Sequence, residues 1–413
     1  MIGGGPAGAT AARLLAQRGF SVVLQHKPAP ARHSLAETLP PSIRNVFHLL
    51  KIQKQIDAAG FYRTTGNTSW WESSRKREEE YRDASGYQVL RVDFDALLLR
   101  LAAEAGVRIT TGVAAGTPRF TLDCSGRAGV VARGFRVPQA GFRTLALSAV
   151  WRGRTRDVDP THTLVEAYRN GWIWSIPLAL DRRYVTVMTE RGRRYDEELR
   201  QSRAIRKLLA KCEREGQPWG CDASLYSSRQ YTHENTLFVG DAASFADPIS
   251  SFGVKKALTS AWIAAAVVDT NLRYPERRAQ AMEYFEAHEK QAYANHLRQA
   301  AAHYARCARR FPAPFWKTRA AYHDGAPKMR AALARLRKEP ELRLQRANGA
   351  PDNAGEFYYG VNLATLAEMT SRHRDVPSLY ESYTRREQPV TLAAFLSALS
   401  FLVSQDILVW KPR

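Results

Sequence analysis

Three glycines near the start of the chain, Gly3, Gly5 and Gly8, stand on the G-x-G-x-x-G spacing. The chemistry this spacing serves is the binding of a dinucleotide pyrophosphate. The first glycine permits a tight turn, the second admits phosphate to the backbone, and the third lets the following helix pack closely. The start of the helix that follows, a few residues beyond Ala7, offers unpaired N–H groups and a positive dipole end to the anion. A glycine-rich turn without a ligand is the other reading of the spacing. Context favours the first: a helix over 11–18 ending at Gly19, then an apolar strand over 20–24, begin a βαβ unit. Two features depart from the pattern. Met1 and Ile2 alone stand ahead of the glycines, so the chain is expected to begin earlier or to have a poorly ordered start. The acid expected to hold an adenosine ribose is replaced by Gln25 and His26, and a neutral hydrogen-bonding side chain can still reach a ribose hydroxyl.

Further chemistry-bearing segments follow in order: Arg91-x-x-Phe-Asp95, Asp123-x-Ser-Gly-Arg127, and Gly240-Asp-Ala-Ala243 ahead of Asp247-Pro248. A Gly-Asp pair closing an apolar strand over 237–241 suits a carboxylate presented to a bound polyol, with a helix N-cap as the plainer alternative. Together these segments resemble the flavoprotein monooxygenases of the p-hydroxybenzoate hydroxylase type and their halogenase relatives, over residues 1 to about 270. The resemblance implies FAD as cofactor and no metal. Gly3, Gly5, Ala7, Gly8 and His26 would hold its nucleotide half, and Arg91 would sit against the diphosphate or adenosine. Asp241, beside Gly240, would take the ribityl hydroxyls, with Glu37, Thr38 and Pro248 close by. The helix opening at Gly253 and Val254 would aim its amides at the flavin pyrimidine and stabilise negative charge on the reduced ring.

Asn170-Gly-Trp-Ile-Trp-Ser-Ile-Pro177 resembles the W-x-W-x-I-P segment of flavin-dependent halogenases. On a strand, Trp172, Trp174 and Ile176 share one face, where core packing is the leading role. That branch relays hypohalous acid through a lysine, carried in some members by a segment like Gly-Phe-x-x-Lys-x-Gly. Gly60-Phe-Tyr-Arg-Thr-Thr-Gly66 places Thr64 at the lysine position. Ser250 and Phe252 likewise stand where tryptophan halogenases carry a glutamate and a threonine ahead of the flavin-facing glycine. Halide binding and relay both look impaired. The segment 240–257 resembles instead the flavoproteins that hydroxylate a tryptophan of a precursor protein during tryptophylquinone cofactor maturation. The implied function is aromatic hydroxylation through a C4a-hydroperoxyflavin, with halogenation or hydroxylation of a free small aromatic as alternatives. The resemblance names no catalytic base.

The elements that must position these groups make an α/β chain. A Rossmann-like FAD-binding domain over 1–127 and 236–270 is expected, with a mixed or antiparallel substrate-binding sheet over 128–235 and a helical C-terminal cap over 271–413. Strands are expected near 145–151, 164–169, 172–177 and 184–189, and helices over 42–58 (capped by Ser42), 94–105, 196–215 and 275–310. A charged loop is expected over 73–80, a cramped connection over 111–119, and an apolar helix over 392–403.

The 413 residues are 45% hydrophobic and 24% charged, as in ordinary globular proteins, and no apolar run reaches membrane-spanning length. Four cysteines without a C-x-x-C pair argue against zinc or a disulfide framework and for a reducing, cytoplasmic setting. The histidines, His33 and His48 among them, show no ligand spacing. Sixty-one Lys and Arg against 40 Asp and Glu give a net charge of +21, a field that attracts polyanions. No nucleic-acid-binding module accompanies it, which leaves an acidic membrane surface, an acidic protein or a merely solvated basic surface; with the resemblance to the maturation flavoproteins, an acidic protein or peptide substrate is the expectation. The basic, aromatic segment 309–317 is then expected as its docking platform, with a lid over a small-molecule pocket as the equal alternative for the C-terminal third. A second dinucleotide motif is missing, so electrons come from transient NAD(P)H or a separate flavin reductase.

Overall fold

The computed structural model describes residues 1–27, 35–82, 84–112, 116–321, 326–338, 344–347, 357–358, 361–387, 389–404 and 407–411. The expectation for His33 lies outside them, as does part of the 111–119 connection. The chain divides into two compact units, Met1–Tyr322 and His323–Arg413.

In the first unit a parallel sheet begins with Ile2, which bridges in parallel to both Gln25 and Asp123. On one side lies the strand Val23–Gln25, paired in parallel with Arg108–Thr110. On the other, Thr121–Asp123 pairs in parallel with Thr236–Phe238. The helix Pro6–Gln17 starts five residues before its expected first turn, because Pro6 fits the first helical position without giving up a needed N–H. It packs beside Arg91–Glu104 and Gly253–Arg273.

The second sheet has seven strands: Glu213–Asp222, Leu145–Arg152, Arg182–Thr189, Gly171–Ala179, Thr163–Tyr168, Gly66–Trp70 and Arg77–Glu80, in that spatial order. All its pairs are antiparallel except Thr163–Tyr168 with Gly66–Trp70. The boundary expected at 127 is therefore crossed, since two strands from the N-terminal stretch complete this sheet. Arg77–Glu80, expected as loop, is its exposed edge strand. A smaller sheet joins Ala36–Leu39, Gly86–Leu90 and Tyr62–Thr64.

Three helical expectations are corrected. The helix over 42–58 is two, Ile43–Leu49 and Gln53–Ala58, broken where Lys51 turns to positive φ, and Ser42 makes no cap bond. The helix over 196–215 is Tyr195–Gln201 and Ala204–Leu208, followed by the strand Glu213–Asp222. Buried Glu166 causes that break, its carboxylate accepting the amides of Arg203 at 2.7 Å and Ile205 at 2.8 Å. Nor does a separate cap begin at 271. Arg278–Ala308 and Pro314–Ala320 belong to the first unit, where Tyr293, Leu297, Tyr304 and Trp316 share an apolar core with Trp172, Trp174 and Ile176. The expected common face of those last three residues is borne out.

The second unit is built on its own core, with Leu366, Leu379, Phe395, Leu399 and Leu402 buried between Leu363–Thr370, Val376–Arg386 and Leu392–Ser404. Asn362 and Asp375 cap the first two helices, each side chain accepting a first-turn amide.

Candidate functional site

The glycine loop is held by contacts that leave no room for side chains. Gly3 has φ +99°, and a Cβ on it would collide with the Cys124 carbonyl. A Cβ on Gly8 would strike the carbonyl oxygen of Gly3, so the third glycine packs the helix on the loop itself. Gly5 differs: a Cβ there would meet only the Arg91 guanidinium at 3.6 Å and Asp95 at 3.8 Å, across a small open cradle. No side chain caps the helix beginning at Pro6, which leaves its first-turn amides free for an anion.

Folding brings several expected residues to this cradle. Arg91 makes a two-pronged ion pair with Asp95, at 2.9 and 3.0 Å, and lies 3.5 Å from Glu37. Burial pulls the Arg91 pKa down, but Asp95 and Glu37 outweigh it and hold the guanidinium above its ordinary range. Glu37 is pushed up by burial, partly offset by Arg91, with Asp241 and Asp95 adding to the rise. Asp241 thus belongs to the same cluster. It lies in a 3-10 turn, Gly240–Ala242, beyond the strand it was expected to end, and its carboxylate takes no hydrogen bond among the described residues. Gly240, at φ +65°, packs on Ala7. The His26 ring stands against Gly4 at the end of the second strand.

Other expected residues turn elsewhere. Thr38 donates to Gln88 Oε1 at 2.7 Å inside the small sheet. The Val254 side chain is buried in the core beside Phe94 and Leu258, which leaves its backbone for the site. Gly253 opens a helix with no side-chain cap, and Pro248 opens a short turn capped by Asp247. Thr64 is fully buried, its hydroxyl donating to the Gly66 carbonyl at 3.3 Å. The basic, aromatic platform is overturned. Phe315 and Trp316 are buried, and Arg310 donates to the carbonyls of Trp70, Trp71 and Ser73 at 3.2, 3.0 and 2.8 Å.

Sequence reading missed three groups beside this site. Lys256 is buried and donates to the carbonyls of Gly240 at 2.8 Å and Ser244 at 2.6 Å, fixing the turn that carries Asp241. Tyr304 donates to both oxygens of buried Asp247, at 3.2 and 3.0 Å, and accepts from the Trp172 indole at 3.2 Å. Burial raises the pKa of both members of that pair. His296 lies 5.7 Å from the Phe252 ring, with Nδ1 buried and unpaired. Burial, with Lys256 and Lys255, lowers its pKa to about 4. Lys256 stood within a quoted motif, but its burial follows from the loop it supports. Asp247 and Tyr304, 57 residues apart, share no local signal at all.

A loop with no room for a Cβ at Gly3 and Gly8 beside an open cradle at Gly5, two uncapped helix starts and an unengaged carboxylate fit the diphosphate, pyrimidine and ribityl parts of FAD. Fold and site define an FAD-dependent α/β flavoprotein. The family model described as tryptophan halogenase matches residues 71–349, and the chain belongs to that family of FAD-dependent oxidoreductases. A tryptophan 2-halogenase of Chondromyces crocatus is 30% identical over 336 residues, 69% of this chain and 63% of that protein. A flavin-dependent halogenase of Armillaria mellea, armH1, is 27% identical, covering 66% and 65%. The chain thus spans just under two thirds of the length of these relatives. Among solved structures, the flavin-dependent halogenase CmlS superposes with a TM-score of 0.78 at 18% identity, covering 98% of this chain and 94% of its own. The peptidyl tryptophan dihydroxylase QhpG gives 0.66 at 19%, covering 98% of both chains. At those identities the two share the fold. Among the described residues no helix is long and apolar enough to cross a membrane, and all four cysteines are free.

Proposed function

We propose that the protein is an FAD-dependent monooxygenase that hydroxylates an aromatic ring, a tryptophan side chain of an acidic peptide or protein being the preferred substrate class. The observation that carries hydroxylation over halogenation is Thr64. At the position of the relay lysine it offers a buried hydroxyl already engaged with Gly66, with no amine to capture a hypohalous acid. Phe252, packed between His296 and Lys255, adds bulk where a halide would need a small polar pocket.

In this reading the stretches 1–127 and 236–270, apart from the strands Gly66–Trp70 and Arg77–Glu80, bind the cofactor, and the seven-stranded sheet with the helices Arg278–Ala308 and Pro314–Ala320 forms the substrate side. Gly3, Gly5, Ala7, Gly8 and Arg91 hold the diphosphate, and His26 the ribose. Asp241 holds the ribityl chain. The amides of Gly253 and Val254 face the pyrimidine, with Gly240, Pro248 and Glu37 shaping the walls. FAD, once reduced, supplies the activation of dioxygen for transfer to an electron-rich ring. The chain's part is to exclude water, orient the ring and stabilise charge. Electrons reach it from NAD(P)H or a separate flavin reductase.

A peptide substrate is supported by the net charge of +21, which steers acidic partners, and by the likeness to QhpG, whose name assigns it to peptidyl tryptophan. The buried aromatics of 309–317 give it no support. Halogenation is the second reading, favoured by the family and by the tryptophan 2-halogenase relative. The deciding experiment supplies FAD, a reductase, oxygen, chloride and bromide to the protein with an acidic tryptophan peptide and, separately, with free aromatics. Mass spectrometry should find oxygen added to the peptide. Halogen incorporation at a comparable rate would replace this reading with the second.

A further inference from the structure

Away from the glycine loop, folding gathers Glu80, Asp159 and His162 at the edge of the seven-stranded sheet. Their ligand atoms all lie within 4.8 Å of one another. His162 is fully buried, while both carboxylates are exposed. The Thr68 hydroxyl occupies His162 Nδ1 at 2.9 Å, which leaves Nε2 toward the acids. Nε2 is 2.9 Å from Glu80 Oε1, yet the two are not aligned as a hydrogen bond, and Nε2 has no hydrogen-bond partner. An unsatisfied buried ring nitrogen ordinarily costs about 1–3 kcal/mol. The separation has another reading. Two ligands each about 2.0–2.1 Å from a shared ion, at right-angled to tetrahedral spacing, stand roughly 2.9–3.4 Å apart.

We propose that Glu80, Asp159 and His162 form a divalent-cation site matched to zinc, with solvent completing the coordination on the exposed side. Imidazole nitrogen with two carboxylate oxygens is a donor set zinc accepts, and the tetrahedral ion tolerates a water. Thr68 is the orienting partner: a ring whose Nδ1–H donates to that hydroxyl presents the Nε2 lone pair outward. Asp159 is oriented too, its Oδ1 accepting from the amide and hydroxyl of Thr161 at 2.8 and 2.5 Å. From the interior, Arg183 donates to the His162 carbonyl at 2.7 Å and anchors the backbone behind the ring. Two carboxylates thus face the ring from outside and one guanidinium stands behind its backbone, while Lys76 reaches the nearby Asp157 carbonyl at 3.2 Å and pairs with Glu78. Bound zinc would fasten the edge strand Arg77–Glu80 to the turn that leads into Thr163–Tyr168. This is a structural clamp, apart from the cofactor site.

The test uses the whole chain with FAD, stripped by a chelator and titrated with zinc chloride by calorimetry. A cobalt titration, read as a visible difference spectrum against the flavin, reports the geometry. One equivalent should bind. Glu80→Gln with Asp159→Asn should weaken it at least about 100-fold and leave FAD retention unchanged, and Thr68→Val should weaken it about 10-fold. Because both acids are exposed, the double variant should fold even where His162→Gln does not. Absence of saturable uptake by the unaltered chain overturns the proposal, as does equal uptake by the double variant.

Discussion

The glycine loop and the aromatic wall are made by opposite means. The loop is a backbone construction: Gly3, Gly8 and Gly240 are defined by the absence of side chains, and their partners are carbonyls and a methyl group. The wall is a side-chain construction, in which Trp71, Trp172, Tyr304, Phe315 and Trp316 meet in edge-on and tilted ring pairs. Buried Arg319 lies under Phe315 at 3.8 Å and donates to backbone carbonyls. A site made from backbone tolerates almost no added atom. One made from packed rings has many contacts to share a loss.

The sharpest way to break this contrast is Gly8→Ala. Its methyl would overlap the Gly3 carbonyl, and backbone on both sides leaves nothing flexible to yield. We expect a loss of about 3 kcal/mol or more, with little soluble protein and no retained FAD. A variant that melts within a few degrees of the parent and keeps the flavin spectrum would show the loop to be adaptable.

The same contrast explains what was legible in the sequence. Gly3, Gly5 and Gly8 lie within eight positions, and their requirements are local, so their spacing, with the helix and strand that follow, exposed them. Arg91 and Asp241 came from motif order, and folding does bring them to one cluster. The four core strands of the large sheet were readable from alternation. Its outer three were not: Gly66–Trp70 and Arg77–Glu80 join it from the N-terminal stretch, and Glu213–Asp222 looked like the end of a helix. Arg309–Lys317 looked like surface because it is basic, yet its Trp316 packs edge-on against Trp71, far away in the sequence. Tertiary burial of Phe315 and Trp316 has no short-range signature. The break in the 196–215 helix depends on Glu166, thirty-odd residues earlier.

His296 sharpens the comparison through pH, since it stands between the uncapped flavin-side helix and the wall. Its folded pKa of about 4 lies below the ordinary 6.5, so between those values the unfolded chain binds the extra proton. Stability from this residue is therefore complete above pH 6.5 and lost as pH falls toward 4. The loss approaches about 3 kcal/mol. Asp247 and Glu289, with raised pKa values, slope the opposite way as pH rises above 4, so the comparison must be made between variants. Unfolding free energy measured from pH 4 to 7 should rise more steeply in the parent than in His296→Gln. Parallel curves would remove His296 from this role.

For the wall, Tyr304→Phe removes one hydroxyl and leaves the rings in place. Buried Asp247 then keeps only the Ile249 amide at 3.0 Å, and the Trp172 N–H loses its acceptor. A cost of about 1–3 kcal/mol is expected in denaturant unfolding, smaller than at Gly8. A change below about 0.5 kcal/mol would mean that the packing, not the hydroxyl, holds this junction.

The smallest effect should come from Glu37→Gln, although the residue stands in the cofactor cluster. Arg91 already has Asp95 on two prongs, and Glu37 adds a third contact at 3.5 Å without hydrogen-bond geometry of its own. Burial and the neighbouring Asp241 and Asp95 all disfavour its charge, so the raised pKa records a carboxylate held at some expense. Because that pKa is raised, the native state holds the proton more tightly than the unfolded chain. The residue's contribution to stability declines as pH rises through the window above its ordinary value. Replacement by a neutral isostere removes the decline and keeps the shape. At pH 7 the fold should change by less than about 1 kcal/mol, with stabilisation as acceptable an outcome as loss. Chemical unfolding of the FAD-free chain at pH 5 and pH 8 is the measurement, and the gap between variant and parent should move in the variant's favour at the higher pH. A loss above about 2 kcal/mol at pH 7 would show that Glu37 holds Arg91 in place, and that the loop region relies on side chains as much as the wall does.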